Sequence, residues 1–184
     1  MKMEYNKYVY TKKWFNENTD LKNHLHTFID TKQKLTILEI GCYEGLCSCY
    51  FSDNYLEHKD SNLYCVDPFY EIKTVSNLTE KLFLNNLMKS KHRVKIIPKK
   101  ISSQEFFENI DTDLTFDIIY VDGDHSDHAI QGDIKNCFKH VKQNSIIWFD
   151  DYVPCKSIID SELKKYNHRF TVIFKNYQLG IKIL

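Results

Sequence analysis

Small residues are scarce in this chain: among 184 residues there are five glycines, three prolines and a single alanine, Ala129. That leaves no room for a Gly/Ser-rich or Pro-rich linker or a low-complexity tract, and no internal repeat is visible. Neither sign of charge is in excess, since 25 basic and 25 acidic residues cancel and the isoelectric point is near 7.1. Nothing in that balance draws the chain toward nucleic acid or an anionic membrane, and neither is expected as a partner. No apolar run is long enough to span a bilayer, and the N-terminal MKMEYNKYVYTKK lacks the apolar core of a signal peptide, so a cytoplasmic protein is expected. Paired metal-type cysteine spacing is also missing. Cys42, Cys47 and Cys49 cluster, but without a C-x-x-C pair or a matching histidine, so the six cysteines read as reduced, buried hydrophobes.

What is present is an ordinary globular composition, 42% hydrophobic and 27% charged, in a chain of single-domain length. One domain over 1–184 is expected: an N-terminal helical segment 1–34, a core 35–152, and a C-terminal helix and hairpin 153–184. Trp14, Leu21, Leu25, Phe28 and Ile29 have helical spacing within 11–32. Then LTILEI (35–40), NLYCVD (62–67), RVKII (93–97), FDIIYVD (116–122) and SIIWFD (145–150) read as buried strands. Between them Leu46–Leu56, Leu78–Met88, Gln104–Ile110 and Ile130–Val141 read as helices. Apolar strands without polar alternation suit a parallel sheet covered on both faces, and the alternation with helices predicts a doubly wound α/β fold. The closing RFTVIFKN and YQLGIKIL read as an antiparallel hairpin at the sheet edge.

Ligands of such sheets bind beyond the carboxyl ends of the strands, and here those ends carry Glu39, Asp67, Asp122, Asp150 and Asp151. The first turn, LEIGCYEG, is not the G-x-G-x-x-G of a dinucleotide site. Its second glycine comes four residues after the first, and Glu44 at the expected loop tip would repel a pyrophosphate. A zwitterion suits it better, with an amino group meeting Glu39. Asp67, one strand over, can accept from both hydroxyls of a ribose.

LEIGCYEGLCSCYF, LYCVDPF and FDIIYVDGDHSDHAIQGDIKNCFKHVKQNSIIWFDDY together resemble the class I S-adenosylmethionine-dependent methyltransferases, over roughly residues 35–152. Within that class the chain is most similar to the small-molecule O-methyltransferases related to macrolide-sugar and catechol enzymes. The resemblance implies a Rossmann-like sheet of seven strands with the last antiparallel. It implies that Glu39, Gly41 and Gly45 hold the methionine part of the donor and Asp67 its ribose. Tyr43 and Glu44 of the same turn, and Asp122, are counted in the cofactor site, and Ser102 or Ser103 falls where the family contacts adenine. The acceptor is then a small hydroxyl-bearing molecule, and a homodimer in which a partner subunit closes the site is compatible with the family. Two departures stand out: Cys42-Tyr43-Glu44 replaces a more glycine-rich turn, and KQNSIIWF lacks a Pro-Gly-Gly, with Asn144 the one left-handed turn residue expected there.

Three carboxylates at neighbouring strand ends repel one another and raise their own pKa values unless a cation lies between them. Oxygen ligands favour Mg²⁺, or Mn²⁺, and the resembling metal-dependent enzymes place acids at the positions of Asp122, Asp150 and Asp151. His125 is three residues past Asp122, where its imidazole can take the acceptor proton; helix capping or support of a neighbour is the bland alternative. Asp124 reads as a turn residue, Asp127 and His128 as solvated, Asp133 as a surface or capping contact, and Asp117 as structural. DGDHSDH could instead open a metallophosphoesterase site, but His24, His26, His58, His92, His140 and His168 do not follow strands as that chemistry needs. A nucleotide-binding module acting with a partner protein, without a reaction of its own, is the other class of reading. Base methylation of nucleic acid fits poorly, since no Asn/Asp-Pro-Pro-aromatic stretch follows the fourth strand.

Overall fold

The computed structural model describes residues 7–12, 14–15, 20–70 and 78–184. Among these residues seven strands form one sheet in the order β3-β2-β1-β4-β5-β7-β6. These are β1 (Thr36–Ile40), β2 (Asn62–Val66), β3 (Ile96–Lys99), β4 (Phe116–Val121), β5 (Val141–Phe149), β6 (Phe170–Lys175) and β7 (Leu179–Ile183). The first five are parallel; β7 inserts antiparallel between β5 and β6. The doubly wound, Rossmann-like expectation with an antiparallel C-terminal hairpin is borne out.

Parallel strands require crossovers, supplied here by α2 (Leu46–Tyr55), α3 (Leu78–Lys89), α4 (Ser103–Asn109) and α5 (Asp127–Cys137). α6 (Lys156–Leu163) leads into the hairpin. Successive residues of β4 serve opposite layers. Ile118 packs with Phe51, Tyr55, Phe83 and Trp148, and Ile119 with Phe106, Ile134, Phe149 and Ile181. Truncating a buried aromatic such as Phe51 to alanine should cost about 3–5 kcal/mol, which is why this pattern dominates the fold.

The helix starts obey local chemistry. Ser102 Oγ accepts from Glu105 N and Ser126 Oγ from Ala129 N, capping α4 and α5. Consequently α5 begins at Asp127 and ends before Val141, earlier than the apolar spacing predicts; Val141 belongs to β5. RVKII also divides, Arg93–Lys95 forming a 3₁₀ turn ahead of β3. Asn144 has φ 69°, as expected for the left-handed position. Beside it Ser145 Oγ accepts from Lys142 N and donates to Phe116 O, carrying β5 through an irregular register.

The N-terminal helix is shorter than the spacing over 11–32 suggests. α1 spans Asp20–His24, followed by a 3₁₀ turn Leu25–Thr27. Thr11 is not helical because Glu44 takes both its N–H and its hydroxyl. Residues 13 and 16–19 of that expected helix lie outside the described residues. Among the described residues no helix is long and apolar enough to cross a membrane.

Candidate active site

The strand order reverses between β1 and β4, whose ends open a crevice of the kind that binds ligands in such sheets. The β1–α2 turn forms one wall. Gly41 takes φ 82°, and a Cβ there would lie 1.8 Å from Asp122 O, so only glycine fits against the end of β4. Asp67 holds the turn: Oδ2 accepts from the N–H groups of Cys42 and Tyr43, each at 2.9 Å, and Oδ1 from Phe69 N at 2.7 Å. Three of about four lone-pair sites on that carboxylate are thereby used, which leaves room for one ribose hydroxyl rather than the two expected. Tyr43 has φ 47° and its ring stacks on Trp14, centroids 4.8 Å apart, at the mouth of the cleft.

Three residues expected in the donor site do not line the cleft. Glu39 is fully buried: Oε2 accepts from Ser48 Oγ at 2.5 Å and faces Cys65 Sγ at 3.5 Å, while Oε1 has no partner among the described residues. Burial pushes its carboxyl up to about 7, against the pull of the Ser48, Cys65 and Cys47 hydrogen bonds. Glu44 is not at a loop tip but buried, where Oε2 accepts from Thr11 N at 2.6 Å and Oε1 from Thr11 Oγ1 at 2.5 Å. It fastens the N-terminal segment and has no surface to offer a donor. Gly45 starts α2 in the left-handed region and lies against Phe83, behind the cleft.

The opposite wall carries the acids. Asp122 N donates to Ile40 O and Asp150 N to Val121 O, so the sheet ladder itself sets these side chains at neighbouring strand ends. Burial, then the charges of Asp150 and Asp151, hold the Asp122 carboxyl well above its ordinary range. His125 Nε2 is 3.0 Å from Asp151 Oδ2, and Tyr177 donates to Asp151 Oδ1 at 2.7 Å. Ligand atoms of Asp122, His125 and Asp151 lie within 4.8 Å of one another. Of the expected set of Asp122, Asp150 and Asp151, the first and last converge with His125, and Asp150 lines the same cleft beside them. Asp150 Oδ1 accepts from the Tyr120 hydroxyl and from Gln178 Nε2, leaving Oδ2 as its second oxygen. His125 is not the cap of α5, a role Ser126 fills.

The far end of the cleft is lined by Ser102, Ser103, Gln104, Phe107 and Asp133. Ser102 spends its hydroxyl oxygen on the α4 cap, whereas the Ser103 hydroxyl favours the ionised form of Asp133. Asp133, expected on the surface, is 3% exposed. Burial raises its carboxyl to about 6 against the Ser103 bond. Sequence spacing missed it because α5 turns this position toward the cleft, next to Gly123. Asp124 accepts from Ser126 N in a local turn, and Asp117 accepts from Thr36 N and pairs with Lys142 at the opposite edge, both as expected. The cleft as a whole encloses about 1900 Å³, more than the roughly 300–1,000 Å³ of a site for one small ligand. It can take two molecules side by side.

A family described as a methyltransferase domain matches residues 38–152. An uncharacterized protein, R132, of Acanthamoeba polyphaga mimivirus is 30% identical over 166 residues, covering 83% of this chain and 72% of that protein. A putative O-methyltransferase from Klebsiella pneumoniae superposes with a TM-score of 0.69 at 13% identity, over 87% of this chain and 77% of that one. The O-methyltransferase TomG of Streptomyces achromogenes, solved with SAM, gives 0.66 at 14% identity over the same shares, 87% and 77%. The Bacillus cereus O-methyltransferase, solved with SAH, gives 0.63 at 14%, over 81% and 73%. At these identities the structural likeness speaks for the fold.

Proposed function

The chain belongs to the methyltransferase domain family, and we propose that it moves the methyl group of S-adenosylmethionine to the oxygen of a small hydroxyl-bearing acceptor with a divalent cation assisting. One observation carries this reading. A single cleft joins the Gly41–Asp67 wall, suited to a nucleoside donor, to the Asp122–His125–Asp151 cluster, suited to activating a hydroxyl.

Methyl transfer to oxygen is an in-line displacement: the acceptor oxygen bonds to the methyl carbon as the carbon–sulfur bond breaks, leaving S-adenosylhomocysteine. The donor is already activated, so the protein must align two reactants and remove one proton. Asp67, with one acceptor site left, takes a ribose hydroxyl, and Asp133 with Ser103 suits the adenine amine. With Nε2–H donated to the Asp151 carboxylate, His125 keeps Nδ1 to receive the acceptor proton. The stacked pair Trp14–Tyr43 offers an aromatic wall for the acceptor.

The donor set fits a hard cation, Mg²⁺ or Mn²⁺: carboxylates of Asp122 and Asp151 converge, and Asp122 is crowded by uncompensated negative charge. When bound, such an ion would lower the pKa of the acceptor hydroxyl. The 3.0 Å His125–Asp151 pair favours a second reading, a metal-independent base dyad.

Calorimetry with S-adenosylmethionine, S-adenosylhomocysteine and NAD, followed by labelled methyl transfer to sugars, phenols and small hydroxy compounds with and without chelator, tests all of this. Donor binding and chelator-sensitive transfer are expected. NAD binding without a response to the methyl donor would end the donor assignment, and full activity in chelator would select the dyad.

A further inference from the structure

Gln178 lies in the turn between β6 and β7, one residue before β7, and is 3% exposed. Its side chain has an orientation that its neighbours leave no freedom to reverse. Oε1 accepts from Leu21 N at 2.8 Å and from Trp148 Nε1 at 2.9 Å. A main-chain amide and an indole can only donate, so both lone pairs of the Gln178 carbonyl are taken and the NH₂ must face the other way. There Nε2 donates to Asp150 Oδ1. The same oxygen accepts from the Tyr120 hydroxyl, a group whose pKa burial drives up and which therefore stays a donor.

From this geometry we infer that Gln178 is the positioning residue of the acid cluster: it fixes the rotation of Asp150. Two donors hold Oδ1, and Oδ2, which has no hydrogen-bond partner among the described residues, is the oxygen left for the cleft that Asp150 lines. The inference rests on reading that cleft as the place where the acceptor is activated.

The consequence reaches beyond one carboxylate. The backbone of Gln178 also donates to Asp20 Oδ2 at 3.3 Å, and its side chain meets Leu21 N, so α1 is tied to Asp150 through one amide. Trp148, on β5, closes the arrangement from the sheet side. Seating of α1 and presentation of Asp150 are thus coupled, because the amide cannot serve either alone without leaving buried donors unpaired.

The test compares the full-length protein with Gln178→Met, which keeps the length of the side chain and removes both halves of the amide. Gln178→Asn, one methylene too short to bridge the two sides, serves if the methionine variant does not fold. Crystal structures give the rotation of Asp150, and titration with Mn²⁺ alone gives the cation affinity by electron paramagnetic resonance. Asp150 is expected to leave the Tyr120 hydroxyl, with Mn²⁺ affinity falling about 10–100-fold, the range for a group that orients a ligand. Affinity for S-adenosylhomocysteine should stay within about twofold, since Gln178 touches nothing on the Gly41–Asp67 wall. A Gln178 that only stabilises the fold would lower the melting temperature and leave Asp150 in place, and that result overturns the inference. Wild-type protein that binds no Mn²⁺ removes the cation from the proposed function, while the rotation of Asp150 still decides the role of Gln178.

Discussion

The imidazole Nε2 of His125 stands 3.0 Å from Asp151 Oδ2, joining the approach to α5 with the end of β5. The histidine side chain is 53% exposed and the aspartate 21%, so the pair is reachable from the cleft instead of sealed beneath it. A base that must meet a second substrate needs that access.

Removing the imidazole should therefore strike turnover and spare donor binding. His125→Ala is expected to lower single-turnover methyl transfer by roughly 10²–10⁴-fold, with S-adenosylmethionine affinity by calorimetry unchanged. Asp151→Asn should lower it too, by releasing the ring from its fixed orientation. Wild-type rates in His125→Ala would strip that residue of the role.

Asp122 should trade stability for cation binding. Its ionised form is opposed by burial and by two neighbouring acids. Asp122→Asn is expected to be more stable than wild type in chelator at neutral pH, by about 1–4 kcal/mol. The rise in melting temperature that Mg²⁺ gives the wild type should vanish in the variant. Scanning calorimetry with and without Mg²⁺ measures both, and equal Mg²⁺ responses would remove Asp122 from the cation site.

At Gly41 the expectation is severe. A Cβ would meet Asp122 O at 1.8 Å, with Gly123 Cα also at 3.0 Å, and φ is 82°. These obstacles are backbone, so Gly41→Ala should cost on the order of 4 kcal/mol and abolish donor binding in whatever still folds. Denaturant titration would reveal an error if the loss were only a few tenths.

Glu39 sets a pH dependence that can be worked out in sign. Its carboxyl ordinarily titrates near 4.5 and is pushed up to about 7 in the folded chain. Below 4.5 it is protonated folded or unfolded and contributes nothing. Between 4.5 and about 7 the unfolded chain releases the proton that the fold retains, so stability falls as pH rises, and above that window the full penalty is present. Glu39→Gln cannot ionise. Without donor, its stability relative to wild type should improve between pH 5 and pH 8, by up to ~1.4 kcal/mol per pH unit. A difference that stays flat across that range would refute the buried-acid account.

The sequence by itself determined the alternation of strand and helix, the strand ends at which Asp67, Asp122, Asp150 and Asp151 emerge, and the need for glycine at 41. Each depends on local pattern: apolar runs too continuous for an exposed sheet, a turn that must approach another strand, and acids just past β-rich segments. Tertiary structure alone decided which of those groups face one another. Glu39 and Glu44 share a turn with Gly41, yet both turn inward, one accepting from the buried Ser48 hydroxyl and one from the N–H and hydroxyl of Thr11. Asp133 left the expected surface because the packing of α5 turns it toward the cleft. Asp150 has one oxygen held by Gln178, 28 residues away in the chain, while His125 joins Asp122 and Asp151. Hydrogen-bond partners so far apart leave no period or spacing in a sequence; only the closing of β7 against β5 brings them within reach.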